Sequence, residues 1–200
     1  MKLYLSHTSP YGRLCLTRAR LLNLNDLELH FLDPWQNPGE LEALNPFSQI
    51  PLLLTDSGEA IYNSHLICQY LAPEEVPSAA ELAVTAYATT LLDTAVQAFK
   101  LEKKAGESRE HFLVKRCLEA LARALPLAPA LHPAARESWP QMMLGVCLLT
   151  VKLRYPEIFT AYARSDTQQA VSVFEQWDFV QRTQPEALQT QAPAMLADLP

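Results

Sequence analysis

The first residues that could take part in chemistry are Ser9 and Pro10, which directly follow a short apolar stretch. Serine followed by proline is typical of a helix start, because the hydroxyl caps a backbone amide and proline fits the first turn. A serine hydroxyl is a weak nucleophile unless a base activates it. His7 is close in sequence, but no third member of a triad is evident. We therefore expect no serine-hydrolase chemistry.

A hydroxyl at a helix start has a second role that requires no base, because it can donate a hydrogen bond to an anion. The amino end of a helix also carries about half a positive charge and unpaired amide groups. Capping and anion binding are compatible roles for Ser9. Cysteine at this position would form mixed disulfides, whereas serine cannot.

Two further pairs of residues invite a functional interpretation. Ile50-Pro51 opens an apolar run, and the simplest reading places the proline at the start of an edge strand. Asn63-Ser64 precedes an apolar helical pattern and is typical of an N-cap. The Ser64 hydroxyl and the first amides of that helix also suit a carboxylate ligand.

The first seventy residues alternate between strand and helix patterns. A strand, a helix and a second strand imply parallel pairing with a right-handed crossover. Asp56-Ser57-Gly58 then separates two short strands, which predicts a hairpin. The pattern therefore predicts an α/β domain with a small mixed sheet, with strands at 2–6, 27–32, 51–55 and 59–62 and helices at 10–22 and 64–71.

After the proline-rich break at 73–77 the strand signals end and amphipathic helices follow. We predict an N-terminal domain at 1–73, a linker at 74–78 and an all-α domain at 79–200. Ser138 and Gln141 have the spacing of a capping box before an apolar helix whose run at 142–151 should be buried. The polar tail from Thr183 is expected on the surface.

Composition limits the classes of function. The formal charge of −6 and the pI of about 5.4 argue against nucleic-acid binding and against anionic membranes. The longest apolar run is too short for a bilayer of about 30 Å, and the first residues lack a secretory signal's apolar core. The four cysteines show no metal-ligand spacing, so we expect free thiols, no metal and a cytoplasmic location.

The chain resembles the glutathione S-transferase family, and in particular its serine-type bacterial members. Four motifs occur in the family's order and spacing. They are TSPYGR at 8–13, NPFSQIP at 45–51, DSGEAIYNS at 56–64 and ICQYL at 67–71. The resemblance implies a thioredoxin-like N-terminal domain with a four-stranded mixed sheet, followed by a helical bundle.

The resemblance also implies a function and its residues. Glutathione is the expected co-substrate, and Ser9 would stabilise its thiolate for attack on a small apolar electrophile. A cis bond before Pro51 would let the Ile50 backbone pair with the tripeptide. Gln49 would contact the ligand backbone, while Asn63 and Ser64 would bind its γ-glutamyl end. The family further implies a homodimer.

Two positions depart from the family pattern. Asn63 stands where an acidic residue is usual, and Gln141 replaces the aspartate that usually follows the start of the buried helix. These departures leave an alternative open, in which the protein is catalytically silent and acts by binding other proteins. Arg13, Arg18 and Arg20 are expected on a solvated or ion-paired helix face, with Arg13 adding positive potential near Ser9.

Overall fold

The computed structural model describes residues 1–199, and its N-terminal part is built on a four-stranded mixed sheet. The strand order is β2-β1-β3-β4, with β1 and β2 parallel and the other neighbours antiparallel. This arrangement confirms the predicted βαβ-ββα domain with its hairpin. The strands are β1 (Lys2–Leu5), β2 (Glu28–Phe31), β3 (Leu52–Leu54) and β4 (Ala60–Tyr62).

Three helices flank this sheet: α1 (Pro10–Leu21), α2 (Gly39–Leu44) and α3 (Ser64–Leu71). The central strands bury apolar side chains on both faces, as Leu3, Leu5, Leu52 and Leu53 are all inaccessible to solvent. Helices α1 and α3 pack against each other. The helices are therefore packed on a sheet whose central strands are buried.

The rest of the described chain is almost entirely helical. Its longest helix begins with a complete capping box, in which Ser78 and Glu81 each bond the other's backbone amide. The helices are α4 (Ala79–Lys103), α5 (Phe112–Ala124), α6 (Trp139–Arg154), α7 (Pro156–Tyr162), α8 (Ser165–Glu175), α9 (Asp178–Arg182) and α10 (Pro185–Thr190).

Helix α6 is the buried helix of the second half, as its apolar composition predicts. All residues at 142–151 are buried, including the single polar one, Thr150, whose hydroxyl donates to the Val146 carbonyl. An added Cβ on Gly145 would lie 2.5 to 2.7 Å from ring atoms of Phe174. Glycine is thus required for the aromatic ring to reach the α6 backbone.

The predicted capping box at the start of α6 is wrong. Ser138 is the N-cap residue, but its side chain makes no capping hydrogen bond. The Gln141 amide oxygen instead accepts from the His132 N–H at 2.7 Å, and its nitrogen donates to the Ala130 carbonyl at 3.4 Å. The glutamine therefore satisfies the backbone of the preceding loop, which a local spacing rule does not consider.

The chain forms two compact units that do not follow a single cut in the sequence. One contains Met1–Val76 together with the chain from Trp177 onward, and the other is Pro77–Gln176. The helical region predicted over 79–200 is thus divided between the units. Its last part belongs with the sheet.

The C-terminal segment (residues 177–199) lies largely at the surface, as expected for the tail from Thr183, but parts of it are buried. The Leu29 N–H donates to the Ala194 carbonyl at 2.8 Å, and the Leu196 N–H donates to the Leu27 carbonyl at 2.9 Å. Leu188 and Leu196 are also buried. An edge strand such as β2 offers unpaired backbone groups, and this segment supplies partners for them.

Within residues 1–199, no helix combines the length and the apolar composition that a membrane span requires.

Candidate functional site

Ser9 is the N-cap residue of α1, and its hydroxyl accepts a hydrogen bond but donates none to a described residue. Its backbone is extended (φ −76°, ψ 117°), and its Oγ accepts from the Gly12 N–H at 3.1 Å. The Ser9 O–H has no acceptor among the residues that the structure describes. The side chain is half-buried. A bound anion beside α1 can therefore receive this hydrogen while the cap remains intact.

The first turn of α1 is held closely against its neighbours. An added Cβ on Gly12 would lie 3.1 Å from the Leu5 Cβ, so glycine permits the close approach of α1 to β1. Arg13 is 5% exposed, and its Nε donates to the Thr183 carbonyl at 2.8 Å. Arg18 is also buried and pairs with Glu75 at 2.5 Å. The expectation of a solvated or ion-paired face is confirmed for Arg18, whose ion-pair partner Glu75 is exposed, and is wrong for Arg13, which is buried against a backbone carbonyl.

The segment before β3 contains the predicted ligand-binding residues Gln49, Ile50 and Pro51. The Ile50-Pro51 peptide bond is cis, as predicted. The Gln49 side chain is exposed and makes no hydrogen bond to a described residue. Neither the Ile50 N–H nor its C=O is hydrogen-bonded within residues 1–199. An extended peptide lying beside Ile50 would thus find one free donor and one free acceptor.

Asn45 organises this segment, which the sequence did not reveal. Its side chain is fully buried, with Nδ2 donating to the Gln49 carbonyl at 2.9 Å and Oδ1 accepting from the Phe47 N–H at 3.1 Å. The Ser48 N–H closes a turn on the Asn45 carbonyl at 2.9 Å. Asn45 belongs to the quoted NP motif, which was the available signal for its role.

The pair Asn63-Ser64 lies at the start of α3. Asn63 is the N-cap, with φ 77°, and its Oδ1 accepts from the His65 N–H at 2.9 Å. This capping bond uses one of the two lone pairs of the amide oxygen. The Ser64 hydroxyl makes no hydrogen bond to a described residue. Ser64 is therefore available to a ligand beside the amino end of α3.

Strand register brings the three predicted groups to one end of the sheet. Tyr4 of β1 lies opposite Leu52, which in turn lies opposite Tyr62. Ile50 lies just before Leu52 and Ser64 just after Tyr62, so both lie beyond the end of the sheet at which β1 ends. The chain from β1 turns here into α1, whose Cys15 thiol lies 3.9 Å from the Ser64 carbonyl oxygen. Ser9, Ile50 and Ser64 thus surround the same end of the sheet.

The thiols near this end of the sheet are not suited to nucleophilic chemistry. Cys15 and Cys68 are buried and free, and all four cysteines of the chain share this state. Burial raises the pKa of Cys15 well above its usual value, and the neighbouring Cys68 thiol raises it further. A neutral, inaccessible thiol is a poor nucleophile.

The N-terminal region matches a protein-family model. Residues 8–74 match the model described as "Glutathione S-transferase, N-terminal domain". The match includes every residue of the candidate site. No curated protein sequence matches the chain.

Solved structures share the fold over nearly the whole chain. A glutathione transferase family member from Pseudomonas fluorescens Pf-5, with bound glutathione, is 22% identical with a TM-score of 0.62, covering 92% of this chain and 98% of that one. A glutathione S-transferase from Methylobacillus flagellatus KT, with glutathione bound, is 21% identical with a TM-score of 0.66 and the same coverage. A maleylacetoacetate isomerase from Methylobacterium extorquens AM1, with malonate and glutathione bound, is 21% identical with a TM-score of 0.59, covering 94% and 97%.

Proposed function

We propose that this protein is a glutathione transferase, because residues 8–74 match the family model of the glutathione S-transferase N-terminal domain and solved glutathione transferases share the fold. It binds glutathione on the N-terminal domain and transfers the glutathionyl group to a small apolar electrophile. The observation that carries this proposal is the Ser9 hydroxyl, which caps α1 through its oxygen and keeps its hydrogen free.

Ser9 stabilises the ionised form of the glutathione thiol. The free thiol has a pKa of about 8.5, and a hydrogen-bond donor at a helix amino end lowers that pKa. The released proton passes to solvent, and Ser9 donates its hydrogen to the sulfur anion. The thiolate then attacks an electrophilic carbon, forming a carbon–sulfur bond as the leaving group departs with its electron pair. Ser9 forms no covalent bond in this sequence.

The remaining site residues orient the tripeptide. The free N–H and C=O of Ile50 pair with its backbone, beside the cis bond to Pro51. The Ser64 hydroxyl and the amino end of α3 bind the γ-glutamyl carboxylate. The Asn63 amide oxygen accepts from the ligand's ammonium group, although without a full negative charge. The exposed Gln49 amide adds a polar contact to the ligand backbone.

The test combines retention on immobilised glutathione with conjugation of glutathione to an aryl halide. Ser9→Ala and Ser9→Gly both remove the hydroxyl, but glycine is tolerated at an N-cap at a cost of only a few tenths of a kcal/mol, against about 1 kcal/mol for alanine. We expect both variants to lose activity by about 10- to 100-fold, the value of a hydrogen bond to a charged group. Ser78→Ala, which removes the N-cap serine of α4, is the matched control and should keep its activity.

Three outcomes separate the possible explanations. Equal losses in the alanine and glycine variants, despite their different stabilities, would assign the loss to the hydroxyl. Full activity in both variants would show that Ser9 is the wrong residue. A wild-type protein that is neither retained nor active would contradict the proposed function itself.

A homodimer is part of the proposal. Phe47, 65% exposed, packs edge-to-face against exposed Tyr62. Leu66 and Tyr70 are also exposed, one helical turn apart on α3. A second copy of this chain would cover apolar area of this kind. Light scattering should give twice the 22.4 kDa chain mass, and Phe47→Ser should shift the protein towards one chain mass.

We also propose a cytoplasmic location, because four buried free thiols suit a reducing compartment. Fractionation of cells that produce the protein would test this.

A further inference from the structure

The first turn of α1 is anchored on a part of the chain that is distant in sequence. Arg13 follows Ser9 by one helical turn, and its backbone N–H donates to the Ser9 carbonyl at 3.0 Å. Its side chain is buried and donates from Nε to the Thr183 carbonyl at 2.8 Å. Arg13 therefore bonds both the first turn of α1 and the C-terminal segment.

The Thr183 carbonyl is a fixed acceptor. Thr183 is 1% exposed and ends α9, where its N–H donates to the Phe179 carbonyl at 3.1 Å. Its hydroxyl donates to the same carbonyl at 2.8 Å and lies 3.2 Å from the Val180 carbonyl oxygen. The side chain and amide of Thr183 thus satisfy the end of α9, and its own carbonyl remains for Arg13. A guanidinium is also favoured by the negative end of a helix dipole.

The segment that presents Thr183 is itself secured to the sheet. Backbone hydrogen bonds join Leu29 to Ala194 and Leu27 to Leu196, at 2.8 and 2.9 Å. These contacts lie along the edge of β2, within the same compact unit as α1. The first turn of α1 therefore lies between two fixed surfaces, with Gly12 against Leu5 and Arg13 against the C-terminal segment.

We propose that Arg13 is a positioning residue for the glutathione site, and that the C-terminal segment acts on catalysis through it. This inference rests on the function proposed above. Arg13 keeps the amino end of α1, with the Ser9 hydroxyl, aimed at the ligand sulfur. A misplacement of about 1 Å in a catalytic group can lower a rate by about 100-fold. Loss of the Arg13–Thr183 bond should therefore reduce ionisation of the bound thiol.

The test compares Arg13→Lys and Arg13→Met with the wild-type protein. Lysine keeps the positive charge but lacks the rigid fork of N–H donors, and methionine removes the donors altogether. Arg20→Lys is the matched control, since Arg20 lies in the last turn of the same helix. Two quantities are measured: the apparent pKa of bound glutathione, from thiolate absorbance against pH, and the KM for glutathione in conjugation.

We expect both Arg13 variants to bind glutathione with a thiol pKa raised towards its value in buffer. Their kcat/KM should fall by about 10- to 100-fold, with the KM for glutathione raised, while the Arg20 variant matches the wild-type protein. If Arg13 only stabilises the fold, its replacement would lower the melting temperature and leave the pKa of the bound glutathione thiol unchanged in the folded protein. That result in Arg13→Lys would overturn the inference.

The lysine variant carries the test if the methionine variant does not fold. The proposed function and this inference fail in distinguishable ways. Wild-type protein that leaves the glutathione pKa at its solution value contradicts the proposed function. If the wild-type protein and Arg13→Lys lower this pKa equally, only the role of Arg13 is contradicted.

Discussion

Replacing Asn45 by alanine should weaken both the fold and the binding of glutathione. The Asn45 amide is fully buried and bonds the backbone at Gln49 and Phe47, at 2.9 and 3.1 Å. These two bonds hold the loop that leads into Ile50, whose free backbone groups are proposed to bind the ligand. Alanine keeps the backbone bonds of residue 45 and removes only the side-chain contacts.

The expected cost follows from those two contacts. Each hydrogen bond contributes about 0.5 to 1.5 kcal/mol, and a buried group left without a partner costs about 1 to 3 kcal/mol. The Gln49 carbonyl and the Phe47 amide are partly buried, so water can reach them in part. We therefore expect Asn45→Ala to lower the free energy of unfolding by about 2 kcal/mol. The KM for glutathione should rise by about tenfold, equivalent to about 1.4 kcal/mol of lost binding.

Urea unfolding and steady-state conjugation measure these two effects. The control is Asn37→Gly, because Asn37 is exposed and its φ of 46° suits glycine. The thiol pKa of bound glutathione should change little in Asn45→Ala, since Ser9 belongs to a different element. An unfolding free energy within 0.5 kcal/mol of the wild-type value, or an unchanged KM for glutathione, would refute the role of Asn45 in shaping this loop.

Three further predictions concern the interior. Gly145→Ala should lower the free energy of unfolding by about 1 to 3 kcal/mol, because its Cβ would meet the Phe174 ring. The control is Gly39→Ala, which has open space around it and should keep the wild-type stability. Equal urea unfolding midpoints for Gly145→Ala and the wild-type protein would contradict the steric overlap. Burial raises the pKa of Cys15 and of Cys147, so the native thiols should resist a disulfide reagent that titrates all four in denaturant. In the unfolded protein a thiol ionises with a pKa of about 8.5, whereas burial keeps the same thiol protonated in the folded protein. The stability that is present below that pH is therefore lost as the pH rises above it, by about 1.4 kcal/mol per thiol between pH 7.5 and 9.5. Urea midpoints that do not fall over this range would contradict the prediction.

The sequence by itself determined the local elements. Ser9-Pro10 caps α1 because a serine oxygen and a proline ring meet the needs of a helix start without help from distant residues. The hairpin around Asp56-Ser57-Gly58 and the buried run of α6 follow equally from turn chemistry and apolar composition. The cis bond at Ile50-Pro51 was predicted from the motif around it, since composition alone would favour trans.

Only the tertiary structure decided which polar groups bond distant parts of the chain. Arg13 has the sequence pattern of a solvated residue, and its burial depends on a carbonyl 170 positions away. The polar C-terminal segment lacks a strong apolar pattern, yet it pairs with the edge of β2 because that strand has backbone groups to satisfy. Gln141 likewise bonds loop backbone nine and eleven positions away, which no local rule assigns to it. Caps and turns are satisfied by residues a few positions away, whereas buried polar groups take whichever partner the folded chain brings within reach.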